Sequence, residues 1–117
     1  MNKDMIADAL ALALEAKAAL DSSTWVNRCP DMYKGENCSI TPILWKKITI
    51  GNKTRLEVRD EKLSAMVSCV FLEEANKLTN SHYRTIPEWN DTRTRTRKQV
   101  KTVYKRTIER LKNAEPP

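Results

Sequence analysis

Apolar residues recur at helical spacing in three stretches of the chain and alternate with polar ones in a fourth. In residues 4–20, Ile6, Leu10, Ala13, Leu14 and Leu20 share a face and alanine fills much of the remainder, which predicts a helix. Asp4 and Asp8 near its start and Lys17 near its end suit the helix dipole, and Asp21-Ser22-Ser23 ends it. Residues 61–79 predict a second, central helix. Between 63 and 72 only Ser64 and Ser68 are polar, so burial on most sides is expected, with Leu63, Met66, Val67, Val70, Phe71 and Leu78 in the core. A third helix is predicted over 96–113, where Val100, Val103, Tyr104, Ile108 and Leu111 lie on one face. Its start carries the spacing of a capping box, Thr96 with Gln99.

The alternating stretch, 44–59, predicts a β-hairpin. Ile48 and Ile50 alternate with Lys47 and Thr49, and Leu56 and Val58 alternate with Arg55 and Glu57. A three-residue loop, Gly51-Asn52-Lys53, sets Ile48 opposite Leu56 and Lys47 opposite Glu57. A two-residue loop would put Ile48 against Arg55 on one face. Two strands alone are only marginally stable, so the hairpin is expected to lie on helices or to pair with something else. Residues 25–42, punctuated by Pro30, Gly35 and Pro42, predict a long loop, of the kind that is usually functional or poorly ordered. Residues 80–92 predict a second loop, in which Pro87 keeps Ile86 out of helical geometry, and residues 114–117 a frayed tail. The expected fold is mostly α (α+β): three helices around a small β-hairpin, in one domain of 117 residues.

The turn before the last helix carries one large aromatic. Trp89 is the expected peg between that helix and the central one, with Asn90 or Asp91 satisfying loop amides and Arg95 pairing with Asp91 across the turn. The alternative is that Trp89, Asn90 and Asp91 line a pocket. The pattern Trp89-Asn90-Asp91, three residues, Arg95-Thr96, three residues, Val100 resembles the end of a family of small uncharacterised proteins found in bacteria and in their phages and plasmids. The helix ending near Trp25 is similar to another of the family's marks. A further mark, Trp-Cys before Gly-Ala-Leu, is matched only by Cys69 and Leu72, with Ser68 where the Trp should stand. The resemblance implies a small, mostly helical protein of a bacterial cytoplasm or mobile element, and it carries no activity.

Charge changes the picture more than composition does. The net charge is +6, which favours a nucleic acid, an anionic surface or an acidic protein as partner. The run Arg93, Arg95, Arg97, Lys98, Lys101, Lys105, Arg106, Arg110 and Lys112 is interrupted by a single acid, Glu109. Lys98, Lys101, Lys105 and Lys112 fall within roughly 60° of one another on a helical wheel, beside the apolar stripe, and form the candidate binding face. A plain solvated face is the bland account of the same run. Two glycines argue against phosphate-cradling loops. No segment approaches the ~18 apolar residues of a membrane span, and the N-terminal apolar run is broken by Asp4, Asp8 and Glu15, so a cytoplasmic protein is expected.

Catalytic and metal chemistry find little support. Cys29, Cys38, Cys69 and His82 could supply four ligands, but the nearest cysteines have eight residues between them, which is wide for a structural zinc site. Cys69 is expected to face the core as a small hydrophobe. No metal or cofactor is expected. Adjacent acids such as Asp60-Glu61 and Glu73-Glu74 point in different directions on a helix and make no acid/base pair. The sequence therefore points to a non-catalytic interaction protein acting on a host protein or nucleoprotein complex. The runner-up is a sequence-nonspecific DNA- or RNA-binding protein, and the third reading is a small enzyme with a site at the Trp89–Asp91 turn.

Overall fold

The computed structural model describes residues 3–114, so most of the expected C-terminal tail lies outside the described residues. Three long helices form the body: α1 (Lys3–Asp21), α3 (Glu61–Thr79) and α5 (Arg97–Lys112), each packed on the other two. Between α1 and α3 come β1 (Thr24–Trp25), β2 (Glu36–Asn37), the single turn α2 (Thr41–Leu44) and the hairpin β3 (Trp45–Ile50) and β4 (Lys53–Val58). A short helix, α4 (Ile86–Asn90), precedes α5. The fold is mostly α with one small antiparallel sheet, the class the hydrophobic pattern predicts.

The core sits where the three helices meet. Phe71 of α3 stacks edge-on against Trp89, with centroids 5.9 Å apart, and against Tyr104 of α5 at 4.9 Å. The α5 stripe of Val100, Val103, Tyr104, Ile108 and Leu111 is buried as its spacing predicts, and both halves of the Thr96–Gln99 capping box form. The α1 face differs from the expected one. Ala9, Ala13 and Ala16 line the core beside Leu12 and Leu20, whereas Leu14 is exposed. Alanine is apolar enough to occupy either side, so periodicity in an alanine-rich helix marks the buried face weakly, and small residues permit the close approach of α3 and α5. In α3, Val67, Phe71 and Ala75 are fully buried. Leu63, Met66, Val70 and Leu78 flank them half-buried, and Cys69 is exposed rather than in the core. The helix is thus covered on one side only, although both sides are apolar.

Residues 25–42 are organised rather than loose. β1 and β2 pair in parallel, and a 3₁₀ turn at Met32–Lys34 is capped by Asp31 and closed by Gly35 at φ 79°, a left-handed conformation that suits glycine. The second expected loop contains α4, in which Ile86 is helical. Pro87 occupies the first turn, where no intrahelical amide bond is required of it, and the Thr85 side chain caps the start. The hairpin register also differs from the expected one. The loop has two residues, Gly51-Asn52, so Ile48 lies opposite Arg55, Lys47 opposite Leu56 and Lys46 opposite Glu57. The parity argument requires one face to be buried, and neither is. Turn chemistry decides instead: Gly51 at φ 64° opens the loop, as a type II′ turn demands.

Candidate interaction surface

The Trp89-Asn90-Asp91 turn before α5 is spent on structure. Trp89 is fully buried and donates from Nε1 to Thr79 Oγ1 at 3.1 Å. Asn90, also fully buried, is the clasp of the 24–39 segment. Its Oδ1 accepts from Trp25 Nε1 at 2.9 Å, from the Ser39 amide at 2.8 Å and from the Ser39 hydroxyl. Its Nδ2 donates to the Val26 carbonyl and to Asp91 Oδ1, both at 3.1 Å. The expected Arg95–Asp91 pair does not form, because Arg95 is folded inward. Its Cζ lies 4.0 Å from the Trp89 ring centroid, its Nε donates to the Trp89 carbonyl at 2.8 Å, and burial draws its pKa below the ordinary arginine value. Thr96 caps α5 and Val100 is in the core. Asp91 and Thr96 are the exposed members of the six, and the best-formed cavities among the described residues are lined by other side chains.

The basic run divides in the same way. Arg97 Nη2 donates to the carbonyls of Leu20, Asp21 and Ser23, closing the C-terminal end of α1 with a positive charge. Arg110 pairs with Glu73 and Glu74, which raises its pKa. Lys101 reaches Asp21 at 3.6 Å, and Lys17 is hydrogen-bonded to the same carboxylate at 2.7 Å. Together they hold Asp21 below the ordinary aspartate range, with the Lys17 hydrogen bond the largest cause. Lys98, Lys105 and Lys112 are exposed. The four-lysine face therefore keeps three outward cations, and its fourth member is tied to α1.

The surface left without a structural task is the hairpin and the flank of α3 beside it. The hairpin joins the body at its base. Lys46 and Arg59 both approach Glu15 of α1, at 3.6 and 3.5 Å, and Arg59 Nε donates to the Pro42 carbonyl at 3.0 Å. Beyond the base both faces are open. Ile50 is 69% exposed, Val58 71% and Trp45 39%. Trp45 and Val58 are opposite one another, so their side chains share a face. Val58 also lines an open groove of about 560 Å³ with Leu44, Arg59, Glu61, Ala65 and Ser68, in which the Ser68 hydroxyl oxygen is buried without a partner among the described residues. Cys69 and Leu72 continue this flank toward Ile86 and Pro87. Trp45 and Val58 together expose apolar surface on one face of the hairpin beside this groove, and contiguous apolar surface is the feature that marks a contact site.

The chemistry-bearing side chains lie apart. Cys29 and Cys69 are exposed, Cys38 is buried and His82 is exposed. Among the described residues no three His, Cys, Asp or Glu side chains are grouped to hold a metal ion. Burial raises the Tyr104 pKa well above its ordinary value, and its hydroxyl donates to the Ser39 carbonyl at 2.6 Å, which makes it a core hydrogen-bond donor. No described helix is long and apolar enough to cross a membrane. No family model, curated protein or solved structure matches the chain.

Proposed function

We propose that this chain is a non-catalytic interaction protein that docks on a partner protein through its β3–β4 arm and the adjoining flank of α3. The observation that supports this reading is the arm itself: twelve strand residues carrying Trp45, Ile50 and Val58 in the open, on a two-stranded sheet that no described helix covers. An exposed hairpin of this kind gains most of its missing support from a bound partner. The resemblance of the Trp89–Val100 segment suggests the setting, an accessory protein of a bacterium or mobile element acting on a host protein or nucleoprotein complex in the cytoplasm.

The test is affinity purification from the native cell with the wild-type chain and an Ile50→Asp, Val58→Asp variant. Loss of a stoichiometric partner in the variant, with its helical content and melting unchanged, supports the reading. Retention of every partner contradicts it. A second reading, direct binding to DNA or RNA phosphates, is favoured by Lys98, Lys105 and Lys112, which stand exposed on one side of α5. A gel shift at two salt concentrations separates the two readings, because phosphate contacts weaken steeply with salt.

A further inference from the structure

The hairpin has two edges, and among the described residues neither carries a third strand. In an antiparallel pair, alternate residues turn their amide and carbonyl groups away from the partner strand. The two-residue turn closes on Ile50 and Lys53, and a bond from the Arg59 amide to the Leu44 carbonyl, 2.9 Å long, extends the ladder at the base. Stepping by two between these ends sets the inward bonds at even positions of β3 and odd positions of β4. The backbone groups of Trp45, Lys47 and Thr49 on one edge, and of Thr54, Leu56 and Val58 on the other, then point outward.

An open edge is a template for another strand, and the groups that complete it are those of an extended backbone. The side chains narrow the choice further. Lys46, Lys47, Lys53 and Arg55 face a single acid on the arm, Glu57, which is itself paired with Arg55 at 2.7 Å. A second copy of the same arm meets like charge, as lysine-guarded edges do. An acidic strand is attracted. The two edges also differ. β3 mixes lysine with apolar or threonine side chains on both faces. β4 is sorted: Thr54, Leu56 and Val58 stand on one face, and Lys53, Arg55 and Glu57 on the other.

We infer that the β4 edge, Lys53–Val58, accepts a third strand from the partner: an extended segment in which acidic residues alternate with apolar ones. The acids lie beside Lys53 and Arg55, and the apolar residues extend the Leu56–Val58 face toward the α3 groove. The inference rests on the interaction reading above and names the chemistry of its occupant.

The experiment titrates the ¹⁵N-labelled chain with two synthetic eight-residue peptides, one alternating Glu with Val and one alternating Lys with Val. The Glu peptide is expected to bind with a Kd of about 1 mM or tighter. Its binding slows exchange of the Thr54, Leu56 and Val58 amides by about tenfold while leaving Lys47 and Thr49 unchanged. A Lys53→Glu, Arg55→Glu variant should weaken it about tenfold and lift the discrimination against the Lys peptide. Leu56→Pro removes an outward amide without touching a bond inside the hairpin, and should abolish the protection. The charge variant carries the test if the proline disturbs the arm. No binding of the Glu peptide at about 1 mM, equal binding of both peptides, or protection along β3 instead overturns the inference. Concentration-dependent dimerisation of the peptide-free chain with the same amides protected also overturns it, because the occupant is then a second copy. If the peptides fail while the Ile50→Asp, Val58→Asp variant still loses its partner, this inference falls alone. If that variant keeps its partners, the interaction reading itself falls.

Discussion

Replacing Asn90 by alanine should unclasp residues 24–39 from the helical body, and the size of the effect follows from the groups left behind. The Ser39 amide is fully buried and loses its acceptor, the only one among the described residues, which costs about 1–3 kcal/mol. Trp25 Nε1 and the Val26 carbonyl lie at part-buried positions, and each orphaned group adds about 1 kcal/mol. The expected loss is therefore about 3–5 kcal/mol, a large fraction of the 5–15 kcal/mol typical of a whole domain. With an unfolding slope of about 1.5 kcal/mol per molar urea, the midpoint should fall by roughly 2–3 M. Hydrogen exchange supplies the local readout. Protection of the Ser39 amide should collapse further than that of Val103 in the middle of α5, since the segment opens before the helices do. A midpoint change below about 0.5 M, or equal loss of protection at Ser39 and Val103, would refute the clasp.

Three further outcomes follow from the same geometry. Trp89→Ala removes a fully buried ring that stacks on Phe71 and carries Arg95, and should cost about 3–5 kcal/mol by urea denaturation; an unchanged midpoint would place Trp89 outside the core. Asp21 has a folded pKa below its ordinary value, so its contribution to stability is present above the unfolded pKa and lost as the pH falls through the folded one. Stability should therefore decline as the pH falls below the ordinary aspartate range, and Lys17→Gln, which removes the largest cause, should flatten that decline. If α5 contacts nucleic-acid phosphates through Lys98, Lys105 and Lys112, log affinity should fall against log salt with a slope near −2.7, about −0.9 per contact, and Lys105→Gln should flatten it by about one unit; no binding at ~50 mM salt would eliminate the phosphate reading.

The long elements were legible because their signals are local. The α5 stripe and its capping box, the extent of α3 and the burial of Trp89 all follow from spacing within a few residues. What escaped depends on partners far away in the chain. Residues 25–42 look irregular because no periodicity marks strands of two residues, and their order comes from Asn90, more than fifty residues on from Ser39. Arg95 and Asp91 have the spacing of an ion pair, yet the Trp89 ring and carbonyl offer the guanidinium a better-packed site. The basic run reads as a continuous face until Asp21, Glu73 and Glu74 from other helices claim its members. Leu14 and Cys69 went astray for a shared reason: where a helix is apolar all round, sequence does not say which side is covered. The hairpin register failed because the argument assumed a buried face. That failure is informative, since the same open faces are what make the arm the candidate surface.

The most direct test of the interaction account is site-specific photo-crosslinking in the native cell, with a photoreactive side chain placed at Ile50, at Val58 or at Leu14. All three positions are exposed, and Leu14 lies on α1, outside the two strands of the arm. The account predicts one discrete protein adduct shared by Ile50 and Val58 and absent from Leu14. The same adducts at all three positions, or none from the arm, would contradict it.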